Sequence, residues 1–214
     1  MRFDIPKLDP DQLDHVVFYE TDSQFYEVVR RLLYEVPTRV NFDGSTLEIM
    51  TLSFEHEALK RFIGRLVEVI IEEFDIDAVP GGSTTMKLSG HGKGLEADEC
   101  YWIQNEAAVR DVKSLDLSIH PPPDLVLEID ITHAVVDREA IYAAMRVPEM
   151  WHYDHQSKLT GWELVEGNWT RVEHSRAFPM IRLNDINPFI EKRTSVGTTT
   201  LIKDFRKWLR SLPR

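Results

Sequence analysis

The chain has 214 residues, 43% of them hydrophobic and 29% charged, which is the make-up of a soluble globular protein with one sizeable core. Its formal net charge of −11 argues against broad, charge-driven binding to nucleic acid, which needs a basic surface. The single cysteine, Cys100, excludes an internal disulfide and a cysteine-based zinc site, no apolar run approaches a membrane span, and the first residues lack the apolar core of a signal peptide, so a cytoplasmic location is expected.

Residues 23–35 predict a short amphipathic helix, capped by Asp22 or Ser23 and ended by Pro37. Residues 39–50 predict a hairpin turning at Asp43-Gly44, with Leu47 and Ile49 on one face. The helical signal is strongest over 54–74. There Leu59, Phe62, Ile63, Leu66, Ile70 and Phe74 recur at helical spacing behind a Ser53 cap. His56 lies near that apolar seam, where a histidine is usually a satisfied structural residue; a position near a metal site is the second reading. Short strands are predicted at 76–79 and 83–88, around Pro80-Gly81-Gly82. The glycine-rich stretch 89–94 reads as a surface loop and fits no phosphate-cradling P-loop frame.

Residues 96–103 predict a strand in which Asp98 shares a face with Cys100 and Trp102. An acid on an apolar face is rare unless it is paired or metal-bound. The polar segment 104–120 reads as loop. Pro121-Pro122-Pro123 then leads into a strand over 124–131. Alternation places Leu125, Leu127, Ile129 and Ile131 on one face, and Asp124, Val126, Glu128 and Asp130 on the other. Like charges at close range repel unless a cation or a shared proton offsets them. Converging carboxylate oxygens are also what Mg²⁺ and Mn²⁺ prefer. If this strand neighbours 96–103, Asp98 comes beside Asp124 and Glu128 as a candidate metal site. The plainer reading is a strand whose polar face meets water.

A helix is predicted over 136–145, with Asp137 in its first turn and Ile141, Tyr142 and Met145 buried. Arg138 stands at its start, close to where the acidic strand ends. Strands at 150–154, 159–165 and 169–173, the last two turned by Gly167-Asn168, and an amphipathic helix near 199–211 complete the pattern. Basic residues cluster at Arg30-Arg31, at Lys60-Arg61 and at Arg206-Lys207 with Arg210. Each cluster is more often a solvated helix face than a binding patch. His152 and His155 fall on opposite faces of a strand, which argues against a shared metal. Cys100 reads as a small buried apolar residue, and no Gly-x-Ser-x-Gly motif marks a serine hydrolase.

Several stretches belong together: Leu47-Glu-Ile-Met50, Glu55-His56, Gly82-Ser-Thr-Thr85, Gly92-Lys-Gly-Leu-Glu-Ala-Asp98, Pro123-Asp-Leu-Val-Leu-Glu-Ile-Asp-Ile-Thr132 and Val147-Pro-Glu-Met-Trp151. With them the chain resembles the Uma-type family of restriction-endonuclease-like proteins, within the PD-(D/E)XK nuclease superfamily, over nearly its whole length. The resemblance implies an α/β (α+β) fold, a central mixed β-sheet flanked by helices. It implies one domain with a helix–hairpin extension over about 1–50, a core over about 51–175 and a helical tail over about 180–214. A homodimer and no membrane association are also implied. The activity implied is Mg²⁺- or Mn²⁺-dependent hydrolysis of DNA phosphodiester bonds, with Asp98, Asp124 and Glu128 holding the metal.

The superfamily's lysine, two residues after the glutamate, is Asp130 here. In the family that lysine moves to the following helix, a few residues before a tyrosine, and Arg138 holds that place before Tyr142. An arginine does not shed its proton to activate water, although it can stabilise charge on a phosphate oxygen. A second reading follows: a protein that keeps the nuclease fold without its chemistry and binds nucleic acid or a partner.

Overall fold

The computed structural model of the protein describes residues 2–4, 15–36, 38–51, 53–88, 93–130, 136–154 and 156–213. The glycine-rich residues 89–92, the end of the acidic strand at 131–135, Pro37 and His155 lie outside them. Two six-stranded sheets form the frame. The first contains β1 (Arg2–Asp4), β2 (His15–Tyr19), β3 (Thr38–Phe42), β4 (Leu47–Thr51), β6 (Thr85–Leu88) and β7 (Lys93–Glu96), in the order β1-β2-β4-β3-β7-β6. The second contains β5 (Val79–Pro80), β8 (Glu99–Trp102), β9 (Leu125–Ile129), β10 (Glu149–Tyr153), β11 (Leu159–Val165) and β12 (Asn168–Val172), in the order β12-β11-β10-β9-β8-β5. The helices are α1 (Ser23–Leu32), α2 (Phe54–Glu73), α3 (Glu106–Val109), α4 (Arg138–Ala144), α5 (Asn187–Glu191) and α6 (Thr198–Leu209).

The second sheet is the predicted mixed sheet. Its β9 and β10 run parallel, while β8 and β11 flank them antiparallel. A parallel pair needs a crossover, and α4 lies on that connection. One face of the sheet, with Leu125, Leu127, Ile129 and Trp151, packs on α2 and α6. The other face, with Cys100, Val126 and Met150, packs on Ile141 and Tyr142 of α4 and on Met86 and Leu95 of the first sheet. Both faces are therefore dry, as parallel pairing requires. No helix among the described residues is long and apolar enough to cross a membrane.

The local chemistry explains most element boundaries. Asp22 caps α1 by accepting the Phe25 N–H at 2.8 Å, and Ser53 caps α2 by accepting the His56 N–H at 3.1 Å. The β3–β4 loop is held by Asp43, whose Oδ1 accepts the Ser45 and Thr46 N–H groups at 2.9 and 2.8 Å. Between β11 and β12 the turning residues are Glu166 and Gly167, one place earlier than expected, with φ of 50° and 83°. Left-handed φ at both positions matches the twist of a two-residue hairpin.

Three features depart from the sequence reading. The predicted strand 96–103 is two strands: β7 ends in the first sheet, β8 begins in the second, and Ala97-Asp98 carry the chain across. The segments predicted at 76–79 and 83–88 likewise enter different sheets as β5 and β6. At the bend between them, a Cβ on Gly81 would lie 2.6 Å from Cys100 Sγ, and Gly82 has a φ of 56°. The third departure is added structure: β1 and β2 extend the first sheet, and α3 forms within the stretch read as loop. The cluster Arg206-Lys207 with Arg210 is partly spoken for, since Arg206 and Arg210 both bind Glu73 of α2, at 2.6 and 2.7 Å. Their hydrogen bonds hold the Glu73 carboxyl down to about 2.

Candidate active site

The crossing at Ala97-Asp98 positions the site. Antiparallel pairing sets Glu99 opposite Leu127, so the preceding Asp98 reaches the end of β9. Its Oδ2 accepts the Ile129 N–H at 2.7 Å. Its Oδ1 meets His56 Nε2 at 3.1 Å and forms an ion pair with the Arg39 guanidinium of β3. The Asp98 oxygen lies off the N–H directions of that guanidinium, so the contact is an ion pair rather than an aligned hydrogen bond. Glu128, on β9, receives Arg138 Nη1 on Oε2 and the Tyr142 hydroxyl on Oε1. Arg138 and Tyr142 are four residues apart on α4 and so share one helix face. The helix start is fixed by Asp137, whose Oδ1 accepts the Ala140 N–H at 2.9 Å.

These groups are withdrawn from water: Asp98 is 0% exposed, Arg39 2%, Glu128 4% and His56 6%. Burial by itself raises a carboxyl pKa. At Asp98 that rise is outweighed by the Arg39 charge and the His56 hydrogen bond, and the carboxyl lies well below its ordinary range. At Glu128 burial prevails over the Arg138 charge, the Asp98 carboxylate adds to it, and the pKa is raised. Two neighbouring carboxyls are thus pushed in opposite directions, a pattern common where acid–base chemistry is done. The Tyr142 phenol, raised well above its usual value by burial and by Glu128, stays a proton donor to Glu128 at neutral pH.

Asp124 does not join this pair. Its Oδ2 accepts the Ile103 and Asn105 N–H groups at 2.7 and 2.9 Å, and its Oδ1 accepts Asn105 Nδ2 at 2.7 Å. Four residue steps separate it from Glu128, about 13 Å at strand rise. Asp124 lies just before β9, which begins at Leu125, and alternation along a strand says nothing about separation along it. The expected three-acid set is therefore a two-acid set, and Asp124 caps the turn that follows β8. Among the described residues no group of three or more His, Cys, Asp or Glu side chains could enclose a metal ion. Mg²⁺ is nonetheless commonly held by one or two carboxylates, with water and a substrate phosphate completing its shell. Asp98 and Glu128 match that donor set in kind and number, with Arg39 and Arg138 as their counter-ions; Glu128 lines the cleft described below and the fully buried Asp98 does not.

A cleft of about 180 Å³ opens beside Glu128, Arg138 and His56. The Arg138 side chain is 12% exposed there. His56, read from sequence first as structural and second as a neighbour of the site, contributes directly to the Asp98 environment. A histidine in the first turn of a helix that follows a capped strand end was the available signal. Arg39 has no such signal, because an arginine in a hairpin strand reads as surface.

A mixed sheet that carries a buried glutamate on β9, with an aspartate arriving from the neighbouring strand and an arginine returned by the following helix, is the architecture expected of a nuclease-type protein. Residues 31–191 match the model of the family Uma2, described as "Putative restriction endonuclease", and the chain belongs to that family. Among solved structures, a protein described as a "putative nuclease belonging to DUF820", from Anabaena variabilis ATCC 29413, is similar at 11% identity and a TM-score of 0.49. The match covers 81% of this chain and 92% of that one. No functionally curated protein matches the chain.

Proposed function

We propose that the protein hydrolyses DNA phosphodiester bonds at this cleft, with Asp98 and Glu128 holding Mg²⁺ or Mn²⁺. The observation that carries the reading is the buried acid pair, with its two pKa values pushed apart, beside a cleft-facing arginine. When bound, the metal would lower the pKa of a water and offset charge on the phosphate. Arg138 lines the cleft and would donate to a non-bridging oxygen. It does not act as a base. Tyr142 and the Ile129 N–H hold the two carboxyls in place. DNA as substrate rests on family membership, since the net charge of −11 gives it no support.

A second reading, binding without cleavage, is favoured by Arg138 at the lysine position and by the arginine already paired with each acid. Plasmid incubated with Mg²⁺ or Mn²⁺ separates the two. Nicking or linearisation that disappears in Asp98→Asn and Glu128→Gln supports cleavage at this site. Cleavage that survives both changes removes the site from consideration. Salt-sensitive DNA retention with no cleavage under any metal supports the second reading.

A further inference from the structure

The cleft beside Glu128 has two halves of different chemistry. Met50, Ile129, Val136 and Met150 give it an apolar wall. Its polar half is mostly carboxylate, and much of that is already in use. Glu128 takes Arg138 and Tyr142 on its two oxygens, Asp137 caps α4 through Oδ1, and Glu139 is exposed to solvent. Asp130 differs from these. Its backbone N–H continues the sheet to the Tyr153 carbonyl at 2.8 Å, and its side chain is 38% exposed. Its carboxylate makes no hydrogen bond among the described residues, and its ion-pair neighbour there, His152 Nε2, stands 3.9 Å away. His56, with a side chain only 8% exposed, also lines the cleft and leaves Nδ1 without a hydrogen bond, Glu57 being 3.6 Å from it.

The cleft therefore calls for N–H donors carried on an apolar body. A phosphate brings acceptors alone. An ammonium or guanidinium would meet the charge of Arg138, which lines the same cleft. A neutral planar ring with an amine on its edge suits every part. It lies well on thioethers, it can stack on a guanidinium, and its N–H reaches a carboxylate.

We propose that this cleft takes an unpaired nucleobase bearing an exocyclic amine (adenine, cytosine or guanine), with Asp130 accepting the amine N–H. The proposal rests on the nucleic-acid reading given above, in its cleaving or its binding form, and involves no metal. It gives a chain with a net charge of −11 a source of attraction other than the phosphate backbone. A base enters such a cleft only when it is unstacked, so single strands and flipped bases are favoured over intact duplex.

The test uses nucleosides, so that neither phosphate nor metal takes part. They are titrated, with EDTA present, into protein labelled on its methionine methyl groups, and NMR shifts report where they bind. Adenosine should move the Met50 and Met150 signals through the ring current of the bound base. Met86 and Met180, which do not line the cleft, should hold still. Purine riboside, which is adenosine without its amine, should bind roughly tenfold more weakly, as expected for loss of one hydrogen bond to a charged group. Cytidine should exceed uridine in the same way. Asp130→Ala should bind adenosine and purine riboside alike. Asp130→Asn keeps the shape and loses the charge, so its preference should fall between. If the alanine variant does not fold, the asparagine variant and the wild-type comparison decide the matter. Equal binding of adenosine and purine riboside by wild type, or no movement of Met50 and Met150 with any nucleoside, overturns the proposal even in a protein that cleaves DNA. An unchanged preference in both Asp130 variants overturns the role given to that residue. Ethylguanidinium moving the same methyl signals at lower concentration than adenosine makes this a cleft for cationic side chains and overturns the proposal as well. Nucleoside binding as described, in a protein that cuts no DNA, upholds the proposal and removes only the cleaving form of the reading.

Discussion

Replacing Arg39 with methionine tests the electrostatic core of the site. Arg39 is 2% exposed and Asp98 0%, so the substitution strands a carboxylate that water cannot reach. Breaking a buried ion pair from one side costs about 3–5 kcal/mol. The Ile129 N–H at 2.7 Å and His56 at 3.1 Å remain on Asp98, which places the expected loss near the lower end, about 3 kcal/mol. That is a large share of the ~5–15 kcal/mol that folds a typical domain. Adding Asp98→Asn to Arg39→Met removes the stranded charge and should restore much of the loss.

The pH dependence supplies the sign. In the wild type the Asp98 pKa is depressed below its ordinary 3.8, so its contribution is present above that pH and disappears only as the pH falls through the lower folded value. In Arg39→Met burial acts with less opposition, and the deficit against wild type should shrink on acidification. Urea unfolding, followed by tryptophan fluorescence at neutral pH and near pH 4, gives these differences. A neutral-pH loss below about 1 kcal/mol, or a double variant no more stable than the single, would refute the buried-pair argument.

Asp124→Ala leaves three hydrogen-bond donors without their acceptor. It should cost about 2–4 kcal/mol in urea unfolding without altering Mn²⁺ binding. A large change in Mn²⁺ affinity would return Asp124 to the metal site. Gly81→Ala forces a methyl to 2.6 Å from Cys100 Sγ and from the Trp102 ring, and a loss of about 1–3 kcal/mol is expected. An unchanged melting temperature would mean that β5 can shift freely. Glu73→Gln should lower the melting temperature at neutral pH by loosening α6 from α2. Because the Glu73 pKa is depressed to about 2, the difference from wild type should fade as the pH drops from the ordinary 4.5 toward 2. Added salt should shrink it as well.

Much of the frame is legible because single segments carry their own signal. The α2 repeat, the Asp43-Gly44 turn, the strand of Glu128 and the run from β10 to β12 all follow from spacing within a few neighbouring residues. The anomaly at Asp98 is legible for the same reason: an acid between buried apolar neighbours asks for a partner. The identity of that partner is not local. Arg39 lies 59 positions earlier, in a strand of the other sheet. The break between β7 and β8 is hidden because Leu95, Ala97, Cys100, Tyr101 and Trp102 are all buried, so apolar residues on both faces mask the change of phase at the crossing. Asp124 stands apart from the pair because strand spacing carries no sign of the donors that Ile103 and Asn105 bring to it from another segment.

The span Ala97-Asp98 also sets the order in which the site can mature. A folding species holding the second sheet and α4 could already join Glu128 to its arginine and tyrosine. It would still lack the guanidinium that β3 brings to Asp98. The acid pair with both of its arginines is completed only when the two sheets dock, so the full charge set cannot form before that docking.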